Sequence, residues 1–159
     1  MKIAKNFLQG NSEKFTYKNG HWNIELKAMN SLNSEETEID FVLDTGANIT
    51  IINPSYFETL KIAESGIEIT PSKTKSYGSD VPGKVWILPF LFIGGFTVKD
   101  VYCFTPNDPR RTHNLLGIKV LAKFYTMIDP VKSRIYFEKH DGILADYKML
   151  SGEVFVTPK

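Results

Sequence analysis

Asp44 is a carboxylate in a place where carboxylates are costly. It ends the apolar run Phe41-Val42-Leu43, and a second apolar run, Ile49 to Ile52, follows closely. A charge set between two buried strands must be satisfied by its neighbours. Thr45-Gly46-Ala47 offers the means. Gly46 permits a tight turn whose backbone N–H groups point back at the carboxylate, and Thr45 adds a hydroxyl that both donates and accepts. The chemistry on offer is an acid or base presented on a rigid loop. Asp-Thr-Gly is also ordinary turn chemistry between strands. The three apolar residues before it, Ala47 after it and Thr50 beyond set this run apart from a plain turn.

Other residues that could do chemistry lead nowhere comparable. His21, His113 and His140 are far apart in sequence, without a ligand-like partner at helical or loop spacing, and read as surface histidines. Glu35, Glu36 and Glu38 read as a solvated, charged loop. Cys103, the single cysteine, sits in the apolar run Val101-Tyr102-Cys103-Phe104 and reads as a small core residue. No disulfide within the chain is therefore possible. Gly94-Gly95 lacks the Gly-Lys-Ser/Thr that a phosphate loop needs, and reads as a hairpin turn. There is no Gly-x-Ser-x-Gly elbow. Asp80 and Asp129 are the remaining acids to consider, and neither stands in a second Asp-Thr-Gly.

The elements that must position Asp44 are mostly strands. Residues 22–28 place Trp22, Ile24, Leu26 and Ala28 on one side. Residues 38–43 run into Asp44, and 49–52 form a short buried strand. Asn53-Pro54 starts a short helix to about Ala63, with Asn as cap and Pro at the first helical position. Residues 72–93 read as a hairpin with a mobile tip, because Ser76 to Gly83 is rich in turn residues. Residues 85–93 and 96–104 pair across Gly94-Gly95. Residues 107–112 are a loop, and 118–124 a short helix with Lys119 and Lys123 exposed. Residues 126–129 and 133–138 form a hairpin around Pro130-Val131-Lys132, and 153–156 is one further candidate strand.

Phe41 to Thr50 resembles the active-site segment of the retropepsin-like aspartic proteases. A second landmark, Asn114-Leu115-Leu116-Gly117-Ile118-Lys119-Val120-Leu121, is similar to that family's apolar-apolar-Gly element before a short helix. Thr126 to Asp129 and Arg134 to Phe137 resemble its closing strands. The resemblance covers residues 22–138, leaving 1–21 and 139–159 as N- and C-terminal extensions. It implies an all-β, closed acid-protease barrel with a flap hairpin and one or two short helices.

The resemblance also implies roles. Asp44 would hold the attacking water, with Thr45 and Gly46 completing the catalytic loop and Thr45 bonding across a dimer. Ala47 and Asn48 would bind substrate backbone, Tyr77, Gly78 and Ser79 would contribute from the flap, and Leu115 would line an apolar pocket. Metal-free peptide hydrolysis needs a base to activate water and an acid to protonate the carbonyl oxygen. Asp44 can be only one of these at a time. The chain has one such motif and about half the length of a two-lobed aspartic protease, so a symmetric homodimer would supply the second carboxylate. The expected activity is aspartic endopeptidase, on a peptide or an unstructured protein segment, with no cofactor and no metal. Lys119 stands where many relatives carry an acidic or amide residue, so the polar network there would differ. The alternatives are a non-catalytic homodimeric binding module of the same fold, or a monomeric barrel in which Asp44 is structural.

Bulk composition is compatible with this reading. The 159 residues are 42% apolar and 13% aromatic, with a net charge of +1. That favours one folded domain and gives no reason to expect nucleic acid or a membrane surface as partner. Residues 1–8 lack the apolar core of a signal peptide and no stretch is long enough to span a bilayer, so a cytoplasmic location is the expectation. A glycan at the sequon Asn48-Ile49-Thr50 would block the proposed site.

Overall fold

The computed structural model describes residues 11–31, 35–76, 78–110 and 113–139. Alternating apolar and polar residues give ten strands among these. They are β1 (Asn11–Lys18), β2 (His21–Met29), β3 (Thr37–Leu43), β4 (Thr50–Ile51), β5 (Thr70–Ser76), β6 (Ser79–Ile93), β7 (Phe96–Pro106), β8 (Asn114–Leu116), β9 (Phe124–Asp129) and β10 (Arg134–Lys139). Two short helices, α1 (Pro54–Thr59) and α2 (Ile118–Leu121), complete the set. The candidate strand at 153–156 and His140 lie outside the described residues.

The strand order is β5-β6-β7-β4-β8-β3-β2-β1-β10-β9, and β2 pairs in addition with β6. That extra pairing closes six strands, β6-β7-β4-β8-β3-β2, into a barrel. Closure removes the free edges that a six-stranded open sheet would expose. Ile24, Leu26, Ile39, Phe41, Ile52, Trp86, Leu88, Cys103 and Leu116 fill the inside. Cys103 is fully buried there, as a small apolar residue would be. Most ladders are antiparallel, but β3 runs parallel to β8 and β4 parallel to β7. Those two parallel pairs flank the Asp44 loop.

Residues 11–18, part of the N-terminal segment that the resemblance leaves unmatched, form a strand built into the sheet. β1 bridges β2 and β10, and Phe15 reaches the core. Gly94 and Gly95 make the two-residue β6–β7 turn, both at positive φ, with Ile93 opposite Phe96. Asn53 caps α1 through its Oδ1, which accepts from the Ser55 N–H at 3.0 Å, and Pro54 follows it.

Three elements differ from the sequence reading. The helix expected to reach Ala63 stops at Thr59, because Lys61 turns left-handed at φ 51°, and a single 3-10 turn over Ile62–Glu64 follows. The helix expected over 118–124 ends at Leu121, and Phe124 already belongs to β9. Lys123 is therefore not on an outer helix face. It lies in the turn between α2 and β9 and is buried, at 2% exposure, where an exposed lysine was expected. The third difference is the hairpin. Ser79 to Gly83 is strand rather than tip, paired residue for residue with Ser72 to Ser76.

Candidate active site

The Asp44 loop joins β3 to β4, and three successive residues of the β8–α2 junction hold it. Leu116 O accepts from the Asp44 N–H at 3.2 Å. The Gly117 N–H donates to Thr50 Oγ1 at 3.3 Å. The Ile118 N–H donates to Ala47 O at 2.8 Å. Start, middle and end of the loop are each fastened to one residue of Leu116-Gly117-Ile118. That is the physical reason for a Leu-Leu-Gly run so far along the chain.

Gly117 is required by contact. A Cβ there would come within 2.5 Å of the Ile49 backbone carbonyl. Only a residue without a side chain lets the two backbones approach this closely. Thr50 is fully buried, and its hydroxyl is the acceptor that satisfies the Gly117 amide.

Within the loop, the Gly46 N–H donates to Asp44 Oδ1 at 2.9 Å, and the Ala47 N–H to Asp44 O at 3.2 Å. The turn thus holds the carboxylate as the sequence suggested. Asp44 is half-buried, whereas Thr45, Gly46 and Asn48 are exposed and Ala47 is half-buried. The acid is fixed on one side and open on the other, which suits a group that must meet substrate and water.

Leu115 lies opposite Val42 on β3 and Ile51 on β4. Partners in register share a face, and residues two apart along a strand share it too. Alternation therefore carries Val42, Leu115, Ile51 and Asp44 to one face, opposite the face of buried Phe41 and Leu116. Here is an apolar floor beside the carboxylate. Gly78 and Ser79 are exposed at the end of the separate β5–β6 arm, and Tyr77 lies outside the described residues.

Sequence reasoning missed the asparagine that ties this floor together. Asn114 Oδ1 accepts from the buried Asn53 N–H at 2.7 Å, and its Nδ2 donates to Asp40 O at 3.0 Å. A polar residue placed directly before Leu115-Leu116 was the available signal. His21 and His113 are exposed, as surface histidines would be, but their proximity was missed. His21 and His113, far apart in sequence, have ring centroids 6.1 Å apart. Asp129 caps its own turn, accepting from Val131 and Lys132 N–H at 3.0 Å each, so it is structural. Lys119 is half-buried, with its Nζ 5.1 Å from the centroid of the Tyr102 ring. Among the described residues no group of three or more His, Cys, Asp or Glu could hold a metal ion, and no helix is long and apolar enough to cross a membrane.

A family model described as aspartyl protease matches residues 30–120, more than half of the chain and all of the loop and its clamp. The chain belongs to the aspartyl protease family. Among solved structures, a retropepsin-like aspartic protease from Rickettsia conorii is similar to it, with a TM-score of 0.57 and 20% identity, over 79% of this chain and 87% of that one. The barrel is accordingly retropepsin-like in fold. No curated protein matches the chain. The matched family segment contains both landmarks that the sequence presented, Asp44-Thr45-Gly46 and Leu115-Leu116-Gly117.

Proposed function

We propose that the protein is an aspartic endopeptidase that works as a homodimer, with one Asp44 from each chain at the centre. The observation that carries this is the single fastened Asp44 loop. Its carboxylate is held by the Gly46 N–H, and its backbone by three consecutive residues across the barrel. A sequence with one Asp-Thr-Gly supplies half of the acid–base pair, and a two-fold axis supplies the other half.

Two carboxylates in contact do not both ionise readily, so they share one proton. The ionised Asp44 takes a proton from water while the water oxygen bonds to the peptide carbonyl carbon. The protonated Asp44 gives its proton to the carbonyl oxygen. The resulting diol collapses as its C–N bond breaks and the nitrogen takes up a proton. Thr45 would bond across the axis. Ala47 and Asn48 would bind substrate backbone, Leu115 would form the floor of an apolar pocket, and the β5–β6 arm with Tyr77, Gly78 and Ser79 would close over the peptide. An extended peptide fits such a site in strand fashion.

The test is cleavage of a peptide library across pH by wild type and by Asp44→Asn. Turnover should be strongest in mildly acidic solution and absent in the variant, whose folded state should persist by circular dichroism. Undiminished cleavage by Asp44→Asn would eliminate the mechanism.

A further inference from the structure

His21 opens β2 and His113 directly precedes β8, the two strands on either side of β3. Asn23 is opposite Val42, and Leu115 is opposite Val42 on the other side. His21 is two residues before Asn23 and His113 two before Leu115, so alternation puts both on the face of Val42, Leu115 and Asp44. Both are exposed, and their ring centroids lie 6.1 Å apart. Two chain-distant imidazoles thus meet beside the apolar floor of the Asp44 site.

Imidazole is the side chain that gains charge between neutral and mildly acidic solution. The shared-proton mechanism works in that same acidic range. Two cationic rings this close repel each other, and an anion placed against both relieves the repulsion. The other charges around them are few. Asp44 is on the same face, Lys18 is opposite His21 on β1, and Asp40, opposite Glu25, is one step before the Phe41–Asn114 pair and so in line with His113. Asp108 and Arg110, in the segment before His113, pair with each other at 2.9 Å. No third ligand-type residue joins the histidines into a metal-holding group among the described residues.

We propose that His21 and His113 form a subsite that selects an acidic side chain, Asp or Glu, in the peptide substrate. This rests on the endopeptidase reading above. The pair makes the preference conditional: strong when both rings are charged and weak when they are neutral. Glu25, Asp40 and Asp44 repel a substrate Glu but not a Gln, and all three remain in the double variant His21→Gln, His113→Gln, so comparing wild type with that variant isolates the histidines.

The experiment uses the full chain and peptide pairs that differ only by Glu or Gln at each position near the cleaved bond. At mildly acidic pH, one position should show kcat/KM for Glu about tenfold above Gln, as one charge-assisted contact would give. The ratio should fall to near one at pH 8, and at both pH values in the double variant His21→Gln, His113→Gln. The variant's cleavage of the Gln peptides is the baseline against which its Glu peptides are read. A wild-type ratio of one at every position, or a ratio that the double variant retains, overturns the subsite while leaving the endopeptidase reading intact. Should no Asp44-dependent cleavage occur, that reading fails by itself. Histidine-ring NMR of Asp44→Asn with the same peptides then decides the subsite. It stands if Glu peptides, but not Gln peptides, shift the His21 and His113 resonances, and it falls if neither or both do.

Discussion

Thr50 shows how much one buried hydroxyl governs. Replacing it with Val keeps the shape but leaves the Gly117 amide without its acceptor, in a place closed to water. An unsatisfied buried amide costs about 1–3 kcal/mol. Thr50→Val should lose stability of that order in chemical denaturation, and a loss within error would show that the bond is dispensable. Glu13, remote from the site, carries a different prediction. Its carboxylate accepts from the Gly94 N–H at 2.9 Å at the β6–β7 turn. Burial pushes its carboxyl above the ordinary value of 4.5, against smaller opposing pulls from the Gly94 amide, Arg134 and Lys27. The folded chain therefore holds this proton more tightly than the unfolded chain does. The stability this contributes is fully present below the ordinary value and is lost as pH rises through the raised one. Glu13→Gln fixes the neutral form and keeps the acceptor oxygen. Its Tm should match wild type in acid and exceed it at neutral pH. A Tm difference that stays constant across this range would contradict the sign.

Pairing explains why some elements were readable from local sequence and others were not. The Asp44 turn, the Asn53-Pro54 helix start and the Gly94-Gly95 hairpin each depend on residues adjacent in the chain, so the residue types sufficed. Ser76 to Gly83 is rich in turn formers, yet the ladder with β5 overrides that preference and makes most of it strand. Pro82 is tolerated because β7 ends at Pro106, opposite Gly83, so no β7 strand asks for the missing N–H. Lys123 and the His21–His113 pair depended on where helix α2 stops and how β2 and β8 flank β3, which no local pattern carries. The same ladder sharpens an expectation of mobility. As far as Gly83 the β5–β6 hairpin is backed by β7; beyond it, apart from the Asn107 N–H donating to Pro82 O at 3.1 Å, it is two-stranded. A two-stranded arm is marginal by itself. Amides of Lys75, Ser76, Gly78 and Ser79 should exchange with solvent much faster than those of Val85 and Trp86, and slow down when a substrate-like inhibitor binds. Equal protection of both groups, unchanged by inhibitor, would remove the arm's proposed closing role. Gly117→Ala tests the other fixed element. The Ile49 backbone must move to admit a Cβ, so the variant should lose activity and stability together.

The described residues form one closed barrel that presents one Asp44 loop, one arm and one Leu-Leu-Gly clamp. On the proposed mechanism, chemistry that needs an acid and a base at the same instant would be a property of two chains, not of one. Thr45 is exposed on the open side of the loop, where the proposed dimer would need it. Three measurements follow from this. Specific activity should fall on dilution through the dissociation range, because assembly depends on concentration while folding of a barrel does not. Thr45→Ala should raise the concentration at which activity is half lost, if its hydroxyl bonds across the axis. Wild type mixed with excess Asp44→Asn should lose activity beyond simple dilution, since most wild-type chains would sit in mixed dimers with one carboxylate. Subunit exchange must be complete before assay, which a fluorescence-labelled chain can report. Full activity from a species shown to be monomeric by sedimentation at the assay concentration would sink the dimer. The second acid would then have to come from within the chain, and the two other candidates, Asp80 and Asp129, are poorly placed for it. Asp80 sits exposed on the arm, paired in register with Lys75, and Asp129 is occupied by its own turn. A single chain therefore has no evident substitute among the described residues, and the dilution experiment bears directly on the chemistry.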